Sequence, residues 1–233
     1  MAVTIDELIV ADEPGPWSGI GFAVQGDAFA VGAVRIRLAG REAGEGLCGW
    51  SLRGLGREGD AGAGERADGA GVENQADGEE ADLDGLATTR SERDPPAEEP
   101  VHPNGIVALD HVVAISSDLD RTVAALRGAG LDLRRVREEP TPAGAPRQAF
   151  FRLGAEILEV VQAPPEAIER TGGDRPAFFW GLAFVAPDLE ATAARLGEHV
   201  SEVRDAVQPG RRIATLRRSA GLALPVALMT PAA

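Results

Sequence analysis

A segment that occurs twice constrains this chain more than any other feature. LDHVVAISSDLDRTVAALRGAGL begins at Leu109, and FWGLAFVAPDLEATAARLGEHV begins at Phe179. Asp118, Leu119, Thr122, Ala124 and Leu126 of the first copy recur as Asp188, Leu189, Thr192, Ala194 and Leu196, and Asp120 recurs as Glu190. Each copy reads as a strand, an Asp-containing turn and an amphipathic helix. Asp118 and Asp188 stand where a helix N-cap is needed. In the first copy Val123, Leu126 and Ala129 share one helical face, and Gly130 stops the helix. The duplication implies that two copies bury a face neither buries alone. The copies differ at one telling position: His111 in the first corresponds to Gly181 in the second.

The pattern continues beyond each helix. Residues 105–164 read as a β-α-β-β-β module, with strands IVALDHVVAIS, LDLRRVREE, RQAFFRLG and AEILEVVQAP. Residues 177–231 repeat that order with FFWGLAFVA, EVRDAV, RRIATLRR and LALPVALM. Pro225 inside the last run predicts an edge or bulged strand. Residues 1–55 predict a shortened N-terminal β-rich unit. VTIDELIV is a strand, Val34, Ile36 and Leu38 alternate with Arg35 and Arg37, and GLCGWSLRGL is a third strand. The short stretch WSGIGF leaves no room for a full helix between the first two. Residues 56–104 read as an acidic, Gly/Ala/Pro-rich flexible linker, in which LDGLATT touches the fold briefly.

Composition bounds the function. Of the formal charge of −14, residues 57–100 supply −10, from 14 acidic residues and 4 arginines. The acidity is therefore local. With no basic stripe and few aromatics, nucleic-acid binding is not expected. No apolar run approaches the roughly 18 residues of a membrane span, and the N-terminus lacks the features of a signal peptide. A single cysteine, Cys48 in the apolar setting GLCGW, reads as a buried inert thiol and fits a cytoplasmic protein. All 23 basic residues are arginine and there is no tyrosine, so lysine Schiff-base chemistry and a tyrosine acid are excluded.

Paired β-α-β-β-β modules with a His on the first strand and a Glu on the fourth resemble the vicinal oxygen chelate superfamily of glyoxalases, bleomycin-resistance proteins and extradiol dioxygenases. LDHVVAISSDLDRTVAAL, RQAFFRLGAEILEVV and GLAFVAPDLEATAARL carry the resemblance. It implies an α+β fold in which paired β-α-β-β-β modules form curved mixed sheets around a cleft. It also implies a divalent ion held by His and Glu side chains of first and fourth strands. Here His111 occupies the first-strand position and Glu159 the fourth-strand one. Gly181 and Val226 or Ala227 stand at the repeat's positions, and none can bind a metal.

An imidazole and a carboxylate suit Zn, Mn, Ni or Fe. A catalytic zinc site normally has three protein ligands. A third ligand would have to come from Glu7 or Asp12 of the N-terminal unit, or from a partner chain. The donor count favours a metal-free His111–Glu159 pair, equally readable as a structural pair. Strand parity places Ala149, Phe151 and Leu153 against the helix, and Gln148, Phe150 and Arg152 on the cleft side with Glu159. Arg152 is expected to pair with Glu159 or to bind a ligand carboxylate, and Gln148 and Phe150 to line the ligand site. Trp180 would offer a stacking wall to a planar ligand. The arginine pairs at 211–212 and 217–218 read as a solvated strand face, or as groups that meet an anionic ligand or the chain's own acidic insert, and neither His102 nor His199 is assigned a role.

Two classes of function remain. One is a protein that binds a small molecule in the cleft, its metal site degenerate or absent. The other is a metal-dependent lyase, isomerase, epimerase or dioxygenase using His111 and Glu159 with a third ligand. An odd third unit would leave a sheet edge exposed, which predicts a homodimer.

Overall fold

The computed structural model describes residues 2–56, 78, 80–97, 100–141 and 144–232. Most of the acidic tract, residues 57–77, lies outside the described residues. Among the described residues, fourteen strands form two mixed sheets in an α+β architecture.

The first sheet has six strands. These are β1 (Thr4–Val10), β2 (Ala28–Val31), β3 (Val34–Leu38), β4 (Leu47–Arg53), β5 (Glu80–Leu83) and β6 (Leu86–Ser91), in the order β2-β3-β1-β4-β6-β5. Strand β1 pairs parallel with β3, which is backed by antiparallel β2. Strand β4 pairs parallel with β6, which is backed by antiparallel β5. The two trios join through antiparallel β1 and β4. The sheet is thus a pair of shortened modules rather than one shortened unit. A short helix, α1 (Pro14–Gly19), follows β1.

The boundary at residue 56 is corrected by this pairing, because the second trio takes its last two strands from residues 80–91. Composition concealed them. Leu83 and Leu86 are the only large apolar residues there, and both are buried. Thr88 joins the core because its hydroxyl accepts the Trp50 indole N–H at 2.7 Å. Asp84 and Gly85 make the turn with φ of 57° and 90°. A Cβ on Gly85 would come within 2.4 Å of the Pro176 side chain and 2.5 Å of the Ala177 carbonyl, so this close approach requires glycine. The stretch before the third module is anchored as well. Buried His102 accepts the Ala23 N–H on Nδ1 at 3.0 Å, and its Nε2 meets the Ala30 carbonyl at 2.9 Å.

The second sheet has eight strands. Strand β7 (Ala108–Ser116) leads into α2 (Leu119–Gly128), then β8 (Asp132–Arg137), β9 (Gln148–Leu153) and β10 (Glu156–Gln162). After a short helix α3 (Pro165–Arg170), β11 (Phe178–Val185) leads into α4 (Leu189–Leu196). Strands β12 (Arg204–Asp205), β13 (Arg212–Thr215) and β14 (Val226–Met229) follow. The order is β12-β13-β14-β11-β7-β10-β9-β8. Both caps form: Asp118 accepts the Arg121 N–H at 3.0 Å and Asp188 the Ala191 N–H at 2.9 Å. The buried helix face is Leu119, Thr122 and Leu126, matched by Leu189, Thr192 and Leu196. Val123 and Ala129 lie at its margin. Thr122 is admitted because its hydroxyl is satisfied by Ser116 at 2.7 Å and by Asp84. Pro225 does not mark an edge. It precedes β14, an interior strand, and its carbonyl accepts the Leu182 N–H at 3.1 Å.

The two sheets meet through their core-side faces. Trp17 lies edge-on to Phe184 at 6.4 Å, and Trp50 to Phe179 at 5.1 Å. Asp12 bridges the halves by accepting the Trp17 indole N–H at 3.1 Å and the Ala223 N–H at 2.9 Å. Arg121 Nε donates to Asp84 at 2.6 Å across the same seam. The opposite face of each sheet is left open. Four modules in two pairs also remove the odd unit on which the expected dimer rested. Among the described residues, no helix is long and apolar enough to cross a membrane.

Candidate functional site

Strand β7 runs through the middle of the eight-stranded sheet, between β11 and β10. Alternation sorts its residues: Val112, Ala114 and Ser116 face the core, whereas His111, Val113 and Ile115 face the open side. Across β10, Leu158 and Val160 are fully buried, while Ile157, Glu159 and Val161 are half-buried on the open side. His111 pairs with Ile157, and Val113 with Glu159. The open face is therefore an apolar floor with a His and a Glu at its centre.

A bulge adds a second acid. His111 lies opposite Ala183 and Leu109 opposite Phe184, so Asp110 is the extra residue. Its Oδ2 lies 2.7 Å from His111 Nδ1. Arg211 donates to Asp110 at 2.5 Å and 3.2 Å, and to the Thr230 carbonyl. The other imidazole nitrogen, Nε2, lies 3.6 Å from Glu159 Oε2. Gln148 Nε2 donates to Glu159 Oε1. The result is a chain, Arg211–Asp110–His111–Glu159–Gln148, across three strands and a loop.

The two carboxyls are tuned in opposite directions. Burial pushes Glu159 above the usual glutamate range, and the nearby His111 and the Gln148 hydrogen bond only partly offset it. Burial also raises Asp110, but hydrogen bonds from His111 and Arg211 outweigh it and hold this carboxyl below its ordinary value. A charged Asp110 beside a Glu159 that retains its proton to higher pH is an arrangement suited to moving or sharing a proton.

The pairing register also reveals an internal twofold. His111 faces Ala183 and Val113 faces Gly181, so His111 and Gly181 are equivalent. Val113 pairs with Glu159 and Ala183 with Ala227, which makes Ala227, not Val226, the equivalent of Glu159. A Cβ on Gly181 would meet the Pro225 carbonyl at 2.6 Å, so no ligating side chain fits there without backbone movement.

Against this geometry the comparisons are decisive for family. A family model described as the glyoxalase/bleomycin resistance protein/dioxygenase superfamily matches residues 108–224, half of the chain. The chain belongs to this superfamily. Its fold is similar to that of a xylose isomerase-like TIM barrel/4-hydroxyphenylpyruvate dioxygenase fusion protein, at 14% identity and a TM-score of 0.63. That match covers 99% of this chain and 49% of the fusion protein, so the chain spans about half its length. Methylmalonyl-CoA epimerase from Mycobacterium tuberculosis matches at 22% identity over 55% of this chain and 91% of its own, with a TM-score of 0.46. A Streptomyces coelicolor methylmalonyl-CoA epimerase variant in complex with 2-nitronate-propionyl-CoA matches at 24% identity over 55% of this chain and 99% of its own, with a TM-score of 0.44. No curated protein sequence matches the chain.

Members of this superfamily commonly use divalent metals. The donors here do not fit a complete site. His111 Nε2 and Glu159 offer two, whereas a catalytic zinc site takes three protein ligands. Asp110 is turned to the other imidazole nitrogen. Among the described residues, no group of three or more His, Cys, Asp and Glu is arranged to hold an ion. Neither suggested helper reaches the site. Glu7 is bound by Arg37 at 3.0 Å on the other sheet, and fully buried Asp12 spans the seam between the sheets.

The remaining sequence-derived candidates divide. Gln148 joins the site as expected. Phe150 lies opposite Glu159, with the Arg135 guanidinium 5.1 Å from its ring centre. Arg152 does not pair with Glu159. It sits opposite Ile157 near the strand end, is exposed, and donates to the Gly154 carbonyl at 3.0 Å. Trp180 is 48% exposed and is the bulged residue equivalent to Asp110, between Phe179 opposite Ala114 and Gly181 opposite Val113. Cys48 is only half-buried, and burial raises its thiol above the ordinary value. Sequence reasoning missed Asp110 and Arg211. The adjacent Asp-His pair was a legible signal. Arg211 carried none toward Asp110, which lies 101 positions away in the sequence.

Proposed function

We propose that the open face of the eight-stranded sheet binds a small molecule around His111 and Glu159, without a complete metal site. One observation carries this reading: the polar pair sits at the centre of an apolar floor, while its twofold equivalents are Gly181 and Ala227. Val113, Ile115, Ile157, Val161 and Phe150 supply apolar contact area. His111 and Glu159 supply convergent polar groups, the usual combination in a ligand pocket. Trp180, exposed at the bulge across the sheet, would cover a planar ligand. Asp110 and Arg211 position His111 so that Nε2 addresses the ligand, and Glu159 exchanges a proton with an oxygen or an acidic carbon. The ligand class is a small, oxygen-bearing molecule.

The second reading is a metal-dependent lyase, isomerase, epimerase or dioxygenase. It is favoured by the joint retention of His111 and Glu159 and requires a third donor. Metal content of the purified chain by mass spectrometry, with His111→Ala and Glu159→Ala alongside, separates the two. Metal-free binding is expected to leave the chain without stoichiometric metal after incubation with Zn, Mn, Ni or Fe(II), while both variants lose ligand-induced thermal stabilisation in a small-molecule screen. Near-stoichiometric metal that both variants lose would overturn it in favour of the second reading.

A further inference from the structure

The six-stranded sheet has an open face of its own, with a different chemistry at the same positions. Glu7 faces Ser51 and Ile9 faces Gly49, the arrangement in which His111 faces Ala183 and Val113 faces Gly181. Glu7 therefore stands where the other sheet has His111. Ile9 pairs with Arg37 as Val113 pairs with Glu159, so Arg37 stands where the other sheet has Glu159. Even the bulge is shared: Asp6 is the extra residue here, as Asp110 is there.

We infer that this open face is a second ligand site, selective for a small multiply charged oxyanion bearing phosphoryl or carboxylate groups, with Arg37 and Arg93 as its contact residues.

Charge argues for it first. Among the described residues, ion pairs join four arginines, Arg35, Arg37, Arg53 and Arg93, to two carboxylates, Asp6 and Glu7. Two positive charges are left in excess within this paired cluster, although the chain as a whole carries −14. A network serving stability alone needs no such surplus, since mutual repulsion of guanidiniums opposes folding.

The hydrogen bonds sort anchors from contacts. Asp6 is fully buried and saturated. It accepts from Arg35 at 2.5 Å, Arg93 at 2.8 Å, Ser91 at 2.7 Å and Ser51 at 3.2 Å, and also from Arg53. It holds the guanidiniums in place and has no capacity for a ligand. Arg53 is consumed as well, giving its other nitrogens to the Ile5 and Arg93 carbonyls. Arg37 is different. Its Nε donates to Glu7 at 3.0 Å, and its two terminal nitrogens have no protein partner among the described residues. The side chains of Arg37 and Arg93 are 40% and 44% exposed. A guanidinium fixed through Nε, with its two-nitrogen edge open, is preorganised for bidentate contact with an oxyanion.

The floor leaves room. Ala28 pairs with Arg37 and Ala30 with Arg35, while Gly49 lies opposite Ile9. Small residues at these positions add no bulk beside the half-exposed Arg37 side chain.

The test uses the full chain and two probes, inorganic pyrophosphate and citrate, titrated calorimetrically at low salt and at about 0.15 M salt. Saturable binding of one probe per chain is expected for at least one of them, and the stronger probe assigns the phosphoryl or carboxylate class. Arg37→Gln is expected to weaken it about tenfold or more, the loss of a bidentate charge-assisted contact. Ala28→Glu keeps every arginine and places a competing carboxylate beside Arg37, so it is expected to abolish binding in a chain that folds normally. Arg212→Gln, on the other sheet, is expected to bind as the unmodified chain does. No saturable binding of either probe below about 10 mM, or undiminished binding in Arg37→Gln or Ala28→Glu, would overturn the proposal.

Discussion

The two sheets carry the same pairing register and the same bulges, with Asp6 matching Asp110 and Cys48 matching Trp180. At the centre of one lies His111 against Glu159, and at the centre of the other Glu7 against Arg37. Around the first pair the open face is apolar; around the second it is cationic and floored by small residues. The buried aspartates diverge in the same way. Among the described residues, Asp110 has two side-chain partners, His111 and Arg211, whereas Asp6 has five. A shared backbone thus hosts two chemistries, because strand pairing and core burial fix one face of each sheet and leave the other free to vary.

The comparison breaks most readily at the aspartates. Asp6→Asn is expected to destabilise by about 3–5 kcal/mol, because three arginines lose a buried counter-charge. Asp110→Asn, with a smaller network, is expected to lose about half as much. Urea unfolding of both variants checks the ranking, and equal losses would mean that the two networks are equivalent after all. Both carboxyls are held below the ordinary range, so their stabilisation is complete above about pH 4 and fades as pH falls through their lowered pKa values.

Leu86→Ala tests whether the strands at residues 80–91 belong to the core of the first sheet. Leu86 is fully buried, so a loss of about 2–5 kcal/mol is expected in the same assay. A neutral substitution would return those residues to a linker.

The equivalent glycines give a finer measure. Gly181→Ala brings a Cβ to 2.6 Å from a backbone carbonyl, and Gly49→Ala to only 3.1 Å. Losses of about 1–3 kcal/mol at Gly181 and under about 1 kcal/mol at Gly49 are expected. A reversed order in thermal melts would show that the twofold positions are not equally constrained.

The smallest effect concerns pH. Glu159 is raised in the folded state, so its neutral form favours folding at low pH and that advantage declines as pH rises above about 4.3. Glu159→Gln removes this decline, flattening stability against pH by a fraction of a kcal/mol per pH unit at most. An unchanged pH profile would mean that Glu159 is not buried in solution as it is here.

Much of this was legible in the chain. The repeated D-L-x-x-T-x-A-x-L caps and helices marked the duplicated modules, and strand parity put Gln148 and Glu159 on one face. In the first sheet the strands at Thr4–Val10, Val34–Leu38 and Leu47–Arg53 were legible, but the rest of its second module was not, because acidic sequence interrupts that module and it resumes in a segment with two large apolar residues. The expected Arg152–Glu159 pair failed for a related reason: parity gives the face but not the distance along it.

Local sequence determined the elements, since capping, periodicity and alternation act over a few residues. It determined the family too, because the modules carry their pattern within about sixty residues each. Only tertiary structure decided that Arg211 would hold Asp110, that Asp12 would bridge the halves, and that four arginines would gather on one carboxylate pair. Those groups are far apart in sequence, and burial made their contacts necessary: a charge removed from water must find a partner wherever the fold brings one.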